Sequence, residues 1–552
     1  MEKNKRFKTI IVVVSVLMLL VVAFFAGRYL LYTKIKDTIA SELRNLKEQE
    51  IDVTYDDMEV YPWDGKIEFN QLNIKIRKDK NGRYGLNATL PYALIKGIDL
   101  IPFIRSKTLA VHTILVQESL ILYAAGSTLF ENEKMPKRKI ELKHILVGNV
   151  DFPKVDFYLR DTLEADTLAH IITNIHMDNL ALDKQLDSLI WRDGDVRVTD
   201  FAMRLAKESY GFSVKKISLG IGKRTMKLDT IVVKPVLDRE EFNQKFGIQT
   251  TYLDAFIPEV ELSKINWFTY PEPTIEIGKM TTSFNMKMYR DKRLPNPLHD
   301  TRPLPTHLLH RLKFKLRVDS IDVNDSFLSY EEFPENNDST GIIYFDKLTA
   351  RINGVHNNAK HKKDITMKTF ARFMGEGELN ASFTFPYDSS NLYRVKGSLE
   401  KFPLSSVNRM LGSAAKAKIE NGFMNRFDFE FAYNDRKSTG SVKMQYEGLK
   451  LVTLRENKDK EQAVSPIKTW ILNTFFIKKD PTKELSDDTR KGEIEFYRDT
   501  QKSVFNYWWK SILSGIKSAY NLDKIPMLND ADATSKGPKK KKKFKEFWSD
   551  VF

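Results

Sequence analysis

The chain has 552 residues, 42% of them hydrophobic and 11% aromatic, which suits two or three domains with buried cores and excludes a wholly disordered polymer. It contains no cysteine, which excludes disulfides, thiolate metal ligands, cysteine nucleophiles and cysteine lipidation. The net charge of +15 would ordinarily suggest nucleic acid. Here the excess is partly local, in Lys539 to Lys543 and Lys545, and export of the chain would replace nucleic acid with anionic lipid as counterpart.

From Thr9 to Gly27 no residue is charged and most are apolar. As a helix this segment is about 28 Å long and matches a bilayer core. Lys3, Lys5, Arg6 and Lys8 precede it, so residues 1–8 are expected in the cytoplasm and the bulk of the chain outside it. A cleaved signal peptide would need small residues at its cleavage site; with Ala26 at −1, position −3 is the bulky Phe24, which favours an uncleaved single-pass anchor over residues 9–27. Residues 28–50 read as a juxtamembrane helix. Leu31, Ile35, Ile39 and Leu43 recur every fourth residue with Leu46 beside them, a stripe that would pack onto the adjoining part of the chain.

At Ile51 the apolar period changes to two. Ile51, Val53 and Tyr55 alternate with polar residues, as do Leu72, Ile74 and Ile76, and Asp64-Gly65 and Asn81-Gly82 mark turns. The pattern continues to about Leu454, interrupted by short helices expected at Arg239 to Phe246 and Ser405 to Leu411. It predicts a mainly β fold: a long, curled, mostly antiparallel, repetitive sheet behind one N-terminal membrane helix, with one apolar and one polar face. The expected divisions are an N-terminal β region 51–235, a connecting region 236–310 and a C-terminal β region 311–455.

An internal repeat supports this. Pro91 precedes Ile98-Asp99, Leu109 and Tyr123 much as Pro258 precedes Ile265-Asn266, Ile275 and Tyr289. Ile145 to Tyr158 and Val318 to Tyr330 read as looser copies of the last two strands. Such repetition suits a sheet that grows by adding similar hairpins.

Beyond residue 455 the period is helical again, and 456–522 is expected to be a helical segment. Ile467 to Ile477 is apolar. Val504, Trp508, Ile512, Ile516 and Tyr520 fall every fourth residue, widened by Phe505, Trp509 and Leu513. That amphipathic helix reads as a cap over the sheet's open edge, or as a membrane-surface helix. Residues 523–552 form a basic tail, expected to be disordered.

No motif for catalysis, cofactor or metal is found. Gly222-Lys223-Arg224-Thr225 lacks the earlier glycine of a phosphate loop, Ile217 standing in its place. Gly375-Glu376-Gly377 lacks the third glycine of a dinucleotide fingerprint. His307 with His310, and His356 with His361, lie in polar stretches without a ligand motif and read as surface histidines. No catalytic, cofactor or metal residue is assigned.

Several segments resemble AsmA-like proteins of the Gram-negative envelope. They are GELNASFTFP, VKGSLEKFPLSSVNRML with Asn408 in a short helix, AKIENGFMNRFDFEFAYN with an I-x-x-G turn, and TGSVKMQYEGLKLVTL with Gly440, Tyr446 and Leu449. KGEIEFYRDTQKSVFNYWWKSILSGIK resembles the family's terminal helix. YPWDGKIEFNQLNIKI and LPYALIKGIDLIPFIRSKTLAVHTILVQESLILY agree at the N-terminal end. The resemblance implies a non-enzymatic, inner-membrane-anchored periplasmic protein that carries phospholipid acyl chains in an apolar β-groove and serves outer-membrane homeostasis. Its expected partners are phospholipid, the inner membrane through residues 9–27, and outer-membrane or anionic lipid through the C-terminal helix and tail. The competing expectations are an assembly factor for outer-membrane proteins that works through its sheet edge, and an envelope hydrolase with a site assembled from distant residues.

Overall fold

The computed structural model describes residues 51–61, 64–77, 84–99, 105–124, 144–160, 167–185, 188–205, 209–268, 274–296, 302–312, 314–335, 339–358, 362–387, 392–415, 417–456, 462–464 and 490–520, with scattered positions from 37 to 46 and Pro102. The expected anchor 9–27, the apolar segment 467–477 and the tail 523–552 lie outside the described residues. Among the described residues no helix is long and apolar enough to cross a membrane. Among the described residues strands dominate and join into a large mixed sheet, with four helices beyond residue 50. The chain divides into two compact units, Met1–Val236 with Ile257–Pro273, and Leu237–Phe256 with Thr274–Phe552. The expected connecting region 236–310 is thus shared between the units.

The first unit holds β1 (Ile51–Thr54), β2 (Asp57–Tyr61), β3 (Lys66–Arg77), β4 (Tyr84–Asp99), β5 (Thr108–Gln117), β6 (Ser119–Ala124) and β7 (His144–Arg160). It continues with β8 (Thr167–Gln185), β9 (Ser188–Leu205), β10 (Tyr210–Gly220), β11 (Thr225–Pro235) and most of β12 (Tyr252–Phe268). The Gly222 segment is the β10–β11 hairpin turn, closed by Gly220 opposite Thr225. Asp37, Ala40, Ser41, Leu43 and Arg44 are helical, and Leu43 and Leu46 are buried against Met58, Ile67 and Ile95. The described end of the expected stripe, Leu43 and Leu46, therefore packs on the sheet; Leu31, Ile35 and Ile39 lie outside the described residues.

The second unit begins with α1 (Arg239–Phe246), at the predicted position. Asp238 and Glu241 form a capping box there, and Gly247 ends the helix in the left-handed region at φ 61. Next come the start of β12, β13 (Thr274–Thr282), β14 (Asn285–Asp291), α2 (Pro305–His310), β15 (Lys315–Phe333), β16 (Gly341–His356), β17 (Ile365–Phe373), β18 (Gly377–Phe385) and β19 (Tyr393–Pro403). A 3-10 turn (Leu404–Val407) leads into α3 (Asn408–Ala415). Asn408 makes the two hydrogen bonds a neighbouring strand would make to Ile419, donating to its carbonyl at 2.9 Å and accepting from its N–H at 2.8 Å. Last come β20 (Ala417–Tyr433), β21 (Lys437–Glu456), β22 (Gln462–Val464), β23 (Arg490–Tyr497) and α4 (Val504–Ala519).

Three expectations are corrected here. The segment 456–522 is not wholly helical: KGEIEFY is β23, paired antiparallel with β21 from Lys437↔Tyr497 to Met444↔Arg490, because its alternation is that of a strand. The I-x-x-G piece is not a turn; Ile419 and Gly422 lie inside β20, where the β20–β21 register shifts as a bulge. The repeat consists of two copies, not four. In the first, β4 pairs antiparallel with β5 and then β6 (Ala93↔Val116, Ala88↔Ile121), and both pair parallel with β7 (Leu109↔Ile145, Ile121↔Phe157). In the second, the start of β12 pairs antiparallel with β14 (Tyr252↔Tyr289), while β13 and β14 pair parallel with β15 (Ile275↔Leu316, Met288↔Tyr330). Ile145–Tyr158 and Val318–Tyr330 are thus the third strand of each copy. Parallel neighbours need a long crossover, and residues 125–143 and 292–314 connect them.

The placement of Pro91 has a physical cause. Pro91 falls between the β4–β5 and β4–β6 ladders, opposite Glu118, the break between β5 and β6, where φ is 49. Proline has no N–H to give a ladder, so an interior strand tolerates it at an interruption. Gln71 (φ 50) in β3, Asp200 (φ 53) in β9 and Thr230 (φ 55) in β11 interrupt other strands of this unit. Such interruptions bend and twist a strand.

Candidate functional site

Register separates the two faces of each unit. In the first unit one row across nine strands reads Val53, Ile74, Ala88, Ile121, Phe157, Ile171, Met203, Phe212 and Val233. A second reads Val60, Ile67, Ile95, Ile114, Val150, Met177, Val196, Leu219 and Met226. Side chains alternate along a strand, so the intervening row faces the other way. It reads Glu68, Leu94, Leu115, Asp151, His176, Arg197, Ser218 and Lys227, which turns polar from β7 onward. His176 there bonds Asp151 and Asp178, and Arg197 bonds Asp178 at 2.6 Å.

Burial along the apolar rows is graded. Val60, Ile67 and Ile95 are no more than 3% exposed, near Leu43 and Leu46. Met177, Val196, Leu219 and Met226 are half-buried, as is every member of the first row except Ala88. The apolar face is thus covered at β2–β4 and partly open to solvent at β8–β11.

The second unit repeats the arrangement in the opposite chain direction. Met280, Ile321, Ile352, Met367, Phe383, Val395, Phe431, Gly440 and Ile494 form one row. The neighbouring row, on the other face, is polar throughout: Thr281, Asp322, Arg351, Lys368, Ser382, Lys396, Glu430, Ser441 and Glu493. Asp322 accepts from Arg351 Nε at 2.7 Å and lies 3.2 Å from Lys279 Nζ. The Arg351 hydrogen bond, then Lys279, hold its carboxyl below the usual range against the opposing effect of burial. On the apolar face, Met280 through Phe383 are half-buried, whereas Val395, Phe431 and Ile494 are buried with Tyr507 and Ala519 of α4.

Helix α4 therefore covers the sheet's apolar face at β21 and at β23, which among the described residues pairs with β21 alone. Its deepest line is Tyr507, Ser511, Gly515 and Ala519, one position round from the predicted stripe. Small residues let the backbone approach the sheet, and Phe505 and Trp509 are left 59% and 46% exposed.

No protein-family model matches the sequence, and no curated protein matches it. The face must be judged on its own chemistry. Three of the four histidines expected on polar stretches are placed otherwise: His307 and His310 sit on α2, and His356 ends β16, buried, with Nε2 2.8 Å from Lys363 O, while His361 lies outside the described residues. Among the described residues no cluster of three or more His, Asp or Glu side chains could hold a metal ion.

The sequence does not tell which face is inward, because apolar alternation looks the same for a filled sandwich and an open groove. A group of cations at the end of the second unit's apolar face, Arg290, Lys292 and Arg302 with Lys502, is also missed, since Lys502 lies some two hundred residues further along the chain. Beside them, Asp291 is 3% exposed and accepts from Arg293 Nη2 at 2.6 Å and from Asn243 at 3.3 Å. The Arg293 hydrogen bonds hold its carboxyl below the ordinary value, against burial.

Proposed function

We propose that this chain is a non-enzymatic, membrane-anchored lipid-binding protein of AsmA type, which holds phospholipid acyl chains on its apolar sheet face and contributes to lipid transport in the cell envelope. The observation that carries the reading is the row Val53 to Val233, apolar across nine strands yet half-buried at eight of its positions. A packed core would bury such a row, and a soluble surface would not keep it apolar on every strand. Each methylene laid against it is worth about 0.8 kcal/mol, so a lipid chain has a strong drive to occupy it while its head group stays in water.

The test places photo-crosslinking residues at Met203 and Met367 on the apolar face and at Arg204 and Lys368 on the opposite one. The full-length protein is then purified from membranes and adducts are identified by mass spectrometry. Phospholipid adducts confined to the first pair are expected. Adducts to other proteins, with no lipid at either apolar position, would sink the lipid reading and favour an assembly factor.

A further inference from the structure

The apolar face of the second unit ends in positive charge. Along β14 and β15 the paired residues run Met286↔Leu328, Met288↔Tyr330 and Arg290↔Glu332. Arg290 thus takes the next position on the face that carries the two methionines. Its Nη2 donates to Gln249 O at 3.3 Å, and its Nε is shielded from solvent without a hydrogen-bond partner among the described residues. Gln249 also shapes the turn after β14, donating through Nε2 to Lys292 O at 3.2 Å and Leu294 O at 2.9 Å, and through its backbone N–H to Pro295 O at 2.8 Å.

That turn presents Asn296, whose side-chain oxygen accepts from Lys502 Nζ. Lys502 is half-buried and directly precedes Ser503, whose hydroxyl accepts from Asn506 N–H at 3.3 Å as the N-cap of α4. Arg302 N–H donates to Thr500 O at 2.8 Å, which ties a further cation to the same turn. Lys292 is 2.7 Å from Glu332, which also accepts from Tyr330 at 3.0 Å. Neither Arg290 nor Lys502 forms an ion pair among the described residues.

Among the described residues Arg290, Lys292 and Arg302 act on Lys502 with Asp499 opposing them, and Glu332 pairs with Lys292. Burial lowers the Lys502 ammonium, repulsion from Arg290, Lys292 and Arg302 adds to this, and Asp499 opposes it. Burial also lowers the Arg290 guanidinium, with Arg302 repelling it and Glu332 partly compensating. Half-buried charges with no ion-pair partner among the described residues, as Arg290 and Lys502 are, are unfavourable, and an anion seated beside them removes the cost. Arginine forks and a helix N-terminus both suit a phosphate oxygen.

We propose that Arg290, Lys292, Arg302 and Lys502, at the N-terminal end of α4, bind the phosphate group of an anionic amphiphile whose apolar part lies on the adjoining sheet face. The same cations would also take a free phosphate, so the assay separates the two sources. The amphiphile half of this inference rests on the acyl-chain reading above.

The experiment is calorimetric titration of full-length protein in nonionic detergent with dihexanoylphosphatidic acid, dihexanoylglycerol and inorganic phosphate. Arg290→Gln and Lys502→Gln are each expected to weaken phosphatidate binding tenfold or more and to leave dihexanoylglycerol binding unchanged. Glu332→Gln removes a competing carboxylate and is expected to tighten phosphatidate binding several-fold, a gain that misfolding cannot mimic. Equal phosphatidate binding by all four proteins would overturn the anion site and leave the acyl-chain reading standing. Phosphate binding with the same variant sensitivity, but no binding of either amphiphile, would support the anion site and sink the acyl-chain reading.

Discussion

Gly492 of β23 lies directly beneath Gly515 of α4: a Cβ on Gly492 would stand 2.0 Å from the Gly515 carbonyl oxygen and 2.7 Å from Ala519 N. A Cβ on Gly515 would in turn stand 2.8 Å from both Val442 Cγ1 and Ile494 Cγ1. Ser438 and Ser511 meet at 2.7 Å on the same seam. The helix is seated through small residues, so its position depends on the absence of two methyl groups. Gly492→Ala must displace backbone and is expected to cost about 3 kcal/mol; Gly515→Ala meets side chains that can shift and should cost about 1–2 kcal/mol. Urea unfolding of the C-terminal unit checks both, and equal stability of Gly492→Ala and wild type would refute the seam.

Asp291 gives a pH signature. Its carboxyl is held below its unfolded value of about 3.9 by Arg293. A depressed acid stabilises the fold above the unfolded pKa and loses that contribution as pH falls through the folded one. Asp291→Asn is therefore expected to cost about 2 kcal/mol at pH 7, the worth of a charge-assisted hydrogen-bond set, and much less near pH 3. Unfolding midpoints of both proteins at the two pH values decide this; a constant difference would assign the loss to shape rather than charge.

Much of the fold was legible because strand and helix periods differ so plainly. Arg239–Phe246 and the Ser503 cap of α4 could be read from local residues alone, and Leu43 and Leu46 announced their burial through their spacing. Pairing could not be read. Nothing local in Ile145–Tyr158 says that it joins its predecessor in parallel after a crossover, since alternation is the same in either direction. The expected stripe Val504, Trp508, Ile512, Ile516 and Tyr520 packs against the core and Leu513 is buried, but Phe505 and Trp509 stay exposed because close approach favours Ser511, Gly515 and Ala519. The cation group was invisible because β14, the turn after it and the start of α4 meet only in the folded chain.

Glu118 tests the interruption opposite Pro91. Its φ of 49 lies where a non-glycine residue pays about 1–2 kcal/mol. Glu118→Gly is expected to match or exceed wild-type stability by about 1 kcal/mol. Glu118→Val, β-branched and ill-suited to positive φ, should lose about 1–2 kcal/mol. Thermal unfolding of the pair gives the order. The reverse order would mean that β5 and β6 run on as one regular strand.

Charge on the apolar face separates binding from folding. Met203 is half-buried within the row Val53–Val233, and its neighbour Ala202 is exposed on the opposite face. An aspartate at Met203 can still reach water at a half-open position, so the fold should lose only about 1–2 kcal/mol. A lipid chain crossing that position would have to desolvate the carboxylate, which costs several kcal/mol, and retention should fall at least tenfold. Ala202→Asp changes the opposite face and should leave retained lipid unchanged. Co-purified phospholipid per protein, measured beside the melting temperature, reads the two effects separately. Lipid lost in proportion to stability in both variants would mean that the face is ordinary core; lipid lost in Met203→Asp alone would mark β9 as part of the surface the acyl chains occupy.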